Sequence, residues 1–345
     1  MRTAVVILNY NTKEYLRKFL PGLIASCEGQ DAQVIVTDNA STDGSAALMK
    51  EEFPAVPFIQ FDTNYGFTGG YNKALKGLDA EFYVLINSDI EVPQGWLSPL
   101  VDWMDSHPEC GACGPKLVSY YDRSSFEYAG AAGGFVDRYG YPFCRGRILQ
   151  KLAKDNGQYD TPLNVLWCSG ACLMVRSRVW RDLGGLDNRF FAHMEEIDLC
   201  WRMQIAGWKV TNVPASEVYH IGGGTLPNES PFKLRLNFRN NLLLLENNLP
   251  ATFKAVQSGR YAHRHPERSE ESRCRCRARR RILVRMCLDG LSAMVYLFSG
   301  KWSFFKAVVQ AHKEYRQLRT PGPVPENPKL PEGLYKGWIV PKGLF

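Results

Sequence analysis

Two carboxylate-bearing stretches have the residue types and spacing for chemistry. Phe190-Phe191-Ala192-His193-Met194-Glu195-Glu196-Ile197-Asp198 begins in a loop and runs into a helical pattern, so Glu195 and Glu196 fall at a helix start. The helix dipole stabilises a carboxylate there, and such a carboxylate can act as a general base. Asn87-Ser88-Asp89 follows the apolar strand Phe82-Tyr83-Val84-Leu85-Ile86. A strand-end Asp can hold a hard divalent cation whose other ligands are waters and diphosphate oxygens. One carboxylate makes a thin cage, and Asp or Asn at a strand end also serves as a turn or helix cap. Asp198 and Arg202 lie i, i+4 on the same helix and read as a structural ion pair.

The elements that must carry these loops alternate. Residues 4–8 read as a buried parallel strand, and a helix follows with Thr12 as cap and Tyr15, Leu16, Phe19 and Leu20 at helical spacing. A strand at Val34-Ile35-Val36, a helix over 46–52, a strand near 56–61, a Gly-rich turn and helix over 64–78 and the strand 82–86 continue the pattern. The alternation implies an α/β fold with a parallel, doubly wound sheet. Ligands bind such sheets beyond the carboxyl ends of the strands. Asn9, Asp38, Asn64 and Asn87-Ser88-Asp89 all fall there.

The chain has 345 residues and is 45% apolar, enough for one large domain or two ordinary ones. Met1-Arg2-Thr3 leads straight into a strand-length apolar run rather than a secretory pattern, so a cytoplasmic location is expected. Ten cysteines include the pairs Cys110/Cys113, Cys168/Cys172 and Cys274/Cys276. In a reducing compartment they read as buried free thiols, not as a disulfide framework or a zinc site. The net charge is +7, and nine arginines against three glutamates between 260 and 281 supply six of those charges. The body is therefore nearly neutral, and no nucleic-acid partner is expected.

Six stretches carry a resemblance: Val5 to Asn11, Thr37 to Ser45, Asn64 to Asn72, Asn87-Ser88-Asp89, Ser169-Gly170-Ala171-Cys172, and Gly185-Leu186-Asp187 through Arg202. In that order, over roughly residues 3 to 250, the chain resembles an inverting family 2 glycosyltransferase of the GT-A fold. That group includes bacterial rhamnosyltransferases of polysaccharide assembly. The resemblance implies a nucleotide-sugar donor, dTDP- or UDP-linked, with dTDP-rhamnose the favoured case, and a glycan or lipid-linked glycan acceptor. It implies that Asp38 contacts the base or ribose, that Asn9 and the loop Asn64, Gly66 to Asn72 frame the nucleotide, and that Asn87 and Asp89 serve the diphosphate. It further implies a divalent cation, Mg or Mn, on Asp89 and His220, with the glycines after His220 approaching the diphosphate. Glu196 aligns with the catalytic base, with Glu195 orienting it or binding acceptor. Two departures stand out: Asn87 replaces the first Asp of the acidic triplet, and Glu196 replaces Asp. His193 has no assigned role. Arg235, Arg239 and Asn240 are either phosphate contacts or a solvated helix face.

Four regions are expected: a nucleotide-sugar-binding half over 1–115, an acceptor-binding half over 116–250, a disordered basic insertion over 251–281, and an amphipathic helical extension over 282–345. Aromatics at Tyr120, Tyr121, Phe126, Tyr128, Tyr139, Tyr141 and Phe143 suit a sugar-acceptor pocket or an ordinary core. The insertion has almost no apolar residue over 263–273 and resembles a translated intergenic repeat. The apolar run 282–298, interrupted by Arg285 and Asp289, and the segment 301–319 suit helices lying on a membrane or on the domain. Peripheral attachment to the inner face of the cytoplasmic membrane is expected. The rivals are a nucleotidyltransferase, which should show a basic Gly-rich loop where Asn9-Tyr10-Asn11-Thr12 stands, and a non-catalytic carbohydrate-binding or inactivated homologue.

Overall fold

The computed structural model describes residues 1–128, 130–148, 151–222, 230–258 and 267–334. The first part alternates as expected: β1 (Thr3–Asn9), α1 (Lys13–Cys27), β2 (Ala32–Asp38), α2 (Ser45–Glu52), β3 (Phe58–Gln60), α3 (Gly66–Ala74) and β4 (Phe82–Ile86). These four strands lie parallel in the order β3-β2-β1-β4. All five residues of β4 are buried, as a strand covered on both faces requires.

The sheet then turns mixed. β5 (Ile90–Glu91), α4 (Ser98–Ser106) and β6 (Cys110–Ser119) are followed by a small second sheet of β7 (Gly134–Val136), β8 (Pro142–Cys144), β9 (Arg147–Ile148) and β10 (Lys151–Leu152). β11 (Leu163–Asn164), β12 (Cys172–Arg176), α5 (Ser177–Asp182), α6 (Glu195–Ile205) and β13 (Lys209–His220) return to the main sheet. β12 inserts antiparallel between β4 and β6, and β13 runs parallel to β6. Residues 165–171 cross over as a loop before β12 begins. The 115/116 boundary falls inside β6.

Three helices close the described chain: α7 (Pro231–Ser258), α8 (Glu267–Phe298) and α9 (Trp302–Leu318), each packed on the other two. The expected disordered insertion is corrected here, since 251–258 and 267–281 are helical and only 259–266 of it lie outside the described residues. Its buried stripe is Cys274, Ala278 and Ile282, spaced four apart. Small side chains let α8 approach its neighbours closely while leaving almost no hydropathy signal. No helix among the described residues is long and apolar enough to cross a membrane.

All ten cysteines are free, eight of them buried, while Cys276 and Cys287 are exposed. The aromatics of 120–143 do not converge on one pocket. Phe126 and Phe143 are core residues, Tyr120 meets Phe19 edge-on, and Tyr141 lies beneath the Arg285 guanidinium.

Candidate active site

Parallel register puts Asn9 at the end of β1 beside Asp38 at the end of β2. Asn9 Nδ2 donates to Asp38 Oδ1 at 2.7 Å and to Ser41 Oγ at 3.0 Å, and Ser41 N donates to Asp38 Oδ2 at 2.9 Å. Thr12 does not cap α1 with its side chain. Its Oγ1 instead donates to Asn9 Oδ1 and meets Ser88 Oγ at 2.7 Å, joining the loops after β1 and β4. Asp38 is fully buried beneath these loops and orders them from below. Asn11 and Ala40 both hold left-handed backbone at φ 53° and 63°. For an alanine that conformation is strained, and such strain clusters at functional sites.

Asn39 carries the next link. Its Nδ2 donates to Asn64 Oδ1 and Gly66 O, both at 3.0 Å, and its Oδ1 accepts from Tyr65 N. Gly66 and Asn72, expected to frame the nucleotide, are turned to another task. Gly66 has φ +69°, and a Cβ there would stand 2.5 Å from the Phe191 ring and 2.6 Å from the Phe191 carbonyl oxygen. The N–H groups of Phe67 and Thr68, at the start of α3, donate to that carbonyl at 2.7 and 3.2 Å. Asn72 donates to Leu186 O and accepts from Leu186 N. The Gly-rich turn therefore holds the protein's own 186–191 loop, and its helix-start donors are already engaged.

Asp89 lies just past β4, where the pairing of β5 with the end of β13 sets His220 opposite Ile90. His220 Nε2 is 3.1 Å from Asp89 Oδ1, and its Nδ1 is 3.3 Å from Glu127 Oε1. All three side chains are buried. Burial alone would lower the imidazole pKa, but the hydrogen bonds to Asp89 and Glu127 outweigh it and push His220 up to about 10. Adjacent ligands of an octahedral cation bound at about 2.1 Å lie about 3 Å apart, the separation found between Nε2 and Oδ1. Glu127 stands where an orienting carboxylate stands behind a metal-binding imidazole. Asp89 and His220 thus fit a hard cation that draws further ligands from water and substrate. No group of three or more His, Cys, Asp or Glu side chains forms a closed cage among the described residues. Glu127 was invisible in the sequence, since it lies in a stretch without period. Gly223 and Gly224, expected to approach the diphosphate, lie outside the described residues.

Glu195 and Glu196 open α6 after a loop in which Phe191, His193 and Met194 are left-handed. That strain is held by carbonyl contacts at every step. Arg239 donates to Arg189 O and Phe190 O, Phe67 and Thr68 take Phe191 O, and Asn240 Nδ2 takes Phe190 O, Ala192 O and His193 O at 2.7–2.9 Å. Arg239 also pairs with Glu314, as does Arg235. Arg239 and Asn240 are loop clamps, so neither of the roles considered for them holds. Asp198 and Arg202 form the expected ion pair at 2.7 Å, with Asn247 and Asn248 also donating to Asp198.

Burial pushes the Glu196 carboxyl up to about 6, against the pull of backbone N–H groups at the helix start and at Gly170. Burial, and then the neighbouring Glu196 charge, raises Glu195 well above the carboxylate range. Of the pair, Glu196 therefore gives up its proton the more readily. Oε2 of both Glu195 and Glu196 is buried without a hydrogen-bond partner, and the two differ in that Glu196 is partly exposed whereas Glu195 is buried. Ala171 O accepts from Asn87 N at 2.9 Å, one residue from the Gly170 that touches Glu196. Ser169-Gly170-Ala171 thereby brings the strand-end triplet and the helix-start carboxylate together. His193 is half-buried and neutral, its pKa pushed down to about 4 by desolvation and by Lys233.

The chain is similar to known proteins in sequence and in fold. Residues 4–184 match the family model described as glycosyl transferase family 2. An N-acetylglucosaminyl-diphospho-decaprenol L-rhamnosyltransferase of Mycobacterium tuberculosis is 29% identical over 232 residues, 63% of this chain and 75% of that one. The rhamnosyltransferase WbbL of Escherichia coli is 24% identical over 63% of this chain and 82% of its own. Among solved structures, the mannosyltransferase PcManGT of Pyrobaculum calidifontis, in complex with GDP-Man and Mn2+, matches with TM-score 0.52 and 13% identity, covering 92% of this chain and 88% of its own. That likeness is one of fold, the GT-A arrangement of a largely parallel nucleotide-binding sheet with a mixed second half. With more than half of its length matched by the family model, the chain belongs to glycosyl transferase family 2.

Proposed function

We propose that this glycosyltransferase moves rhamnose from dTDP-rhamnose, with inversion, onto a hydroxyl of a lipid-linked glycan at the cytoplasmic face of a membrane. Two relatives named as rhamnosyltransferases support the sugar, and the decaprenol-linked acceptor in one of those names supports the acceptor class. The observation that carries the mechanism is the partial exposure of Glu196, beside Gly170, where Glu195 is buried.

Glu196 takes the proton from the acceptor hydroxyl as that oxygen bonds to the anomeric carbon, and the bond from that carbon to the diphosphate breaks on the opposite face. The products are the glycoside, nucleoside diphosphate and a protonated Glu196. Glu195, raised further by burial and by the Glu196 charge, opposes a second negative charge beside the base. Asp89 and His220 would hold a divalent cation, which would supply positive charge for the departing diphosphate. Asn64 remains a donor-facing polar group, with Asn9, Asp38 and Asn39 fixing the loops around it.

Incubating the purified protein with dTDP-rhamnose, UDP-GlcNAc and GDP-mannose, each with and without Mn, tests the reading through nucleoside diphosphate release. Cation-dependent release from dTDP-rhamnose alone is expected. Release from another donor overturns the sugar, and cation-independent release overturns the role of Asp89 and His220.

A further inference from the structure

The outer face of α8 changes character along its length. Arg273, Arg277 and Arg280 are exposed on it, and continuing the same three-and-four spacing come Val284, Cys287, Leu291, Val295 and Phe298, all exposed. Exposure reaches 65% at Leu291, 63% at Val295 and 81% at Phe298, and Leu283 and Met294 widen the stripe. The two charges between 282 and 300 do not interrupt it. Arg285 and Asp289 point inward and pair at 2.7 Å, both buried, with Arg285 also over the Tyr141 ring and Asp289 near His312. The last four turns of α8 therefore present an apolar outer face without a charge. The turn into α9 adds exposed Trp302, stacked on Phe305, with exposed Lys301 and Lys306 beside it.

We propose that this α8 face and the α8–α9 turn dock in the plane of a lipid bilayer with anionic headgroups. An interfacial helix needs an apolar stripe at the level of the acyl chains and cations at the level of the headgroups. Here the stripe is flanked by arginines at one end and by Lys301 and Lys306 at the other, with Trp302 at the boundary where tryptophan is favoured. A second copy is a poorer occupant. Stacked in either direction, the faces would bring arginines against arginines or against Lys301 and Lys306, opposing like charges at both ends. A groove lined by Phe232, Phe305, Lys306, Val309 and Lys313 starts one turn beyond Trp302 and reaches Phe232, whose ring meets Phe191 of the base loop. The docked face thus adjoins a cationic, apolar groove that ends against the loop before Glu196.

The inference rests on this face and not on the sugar transferred, so binding is read without turnover. The full-length protein is co-sedimented with vesicles of phosphatidylcholine alone or with added phosphatidylglycerol, and nucleoside diphosphate release is measured separately. Binding to the anionic vesicles is expected, weakened about tenfold in Leu291→Glu/Val295→Glu and about fivefold per residue in Lys301→Gln and Lys306→Gln, with release in solution unchanged. Equal binding by Leu291→Glu/Val295→Glu overturns the assignment of the face. Absence of vesicle binding overturns it as well: a dimer on gel filtration that the double variant makes monomeric points to a second copy, and a monomer points to cover by the chain beyond residue 334. Vesicle binding without any turnover leaves the inference standing and removes the proposed reaction instead.

Discussion

Replacing Gly66 with alanine separates two uses of a glycine. The left-handed backbone at φ +69° costs an alanine about 1–2 kcal/mol. The new Cβ would stand 2.6 Å from the Phe191 carbonyl oxygen, which can withdraw only by losing hydrogen bonds from Phe67 N and Thr68 N, about 1 kcal/mol each. Destabilisation of about 3–4 kcal/mol follows, a drop in Tm of roughly 5–10 °C. Because the displaced loop leads into Glu195 and Glu196, kcat should fall by up to about a hundredfold while the donor KM stays within about twofold. Gly77→Ala is the control, since Gly77 has φ +85° with nothing within 4 Å of a Cβ, and it should show only the backbone cost with kcat unchanged. Calorimetry and steady-state kinetics on both variants decide the matter. An unchanged Tm with a strongly raised donor KM in Gly66→Ala would refute the reasoning and return the glycine to the nucleotide.

Three further outcomes follow. Asn240→Ala removes the amide whose two N–H groups are shared among three loop carbonyls and should lower kcat more than donor KM, with a loss of about 2 kcal/mol of stability in denaturant titration, about 1 kcal/mol per N–H. Glu127→Gln leaves Asp89 and His220 in place but removes the carboxylate behind the imidazole, so Mn activation should need about 10–100 times more metal. A rise of kcat/KM through pH about 6 should mark ionisation of Glu196, whose folded pKa is raised above its unfolded value of 4.5. The folded state holds the extra proton between those values, so Glu196 lowers stability as pH rises through 4.5 to 6. Chemical denaturation should find it costing about 2 kcal/mol above that window.

The parallel half of the fold was legible because β1, β2 and β4 are short apolar runs ending in polar loops, which is what a covered parallel strand must be. The pairing of Asp89 with His220 was legible only through family resemblance, since 131 residues separate them. Glu127 gave no local signal. Gly66 and Asn72 sat in the right motif but served a partner about 120 residues away, and no spacing rule distinguishes a glycine that admits phosphate from one that admits a carbonyl. The helix through 267–281 was hidden because its buried stripe is made of cysteine and alanine amid arginines, so composition suggested disorder where packing supplied order. Arg285 and Asp289 likewise looked like interruptions of an apolar run, whereas their burial leaves the outer face unbroken.

The central claim is that Glu196 is the base and that its charge is held at a cost to stability. Glu196→Gln keeps the shape of the side chain and removes the proton acceptor, so one variant assayed at pH 8 for kcat, donor affinity and unfolding free energy tests both parts. Expected are a fall in kcat of roughly a thousandfold, unchanged donor affinity, and a gain of about 2 kcal/mol in stability. Near-normal kcat in Glu196→Gln, with the loss appearing in Glu195→Gln instead, would contradict the claim.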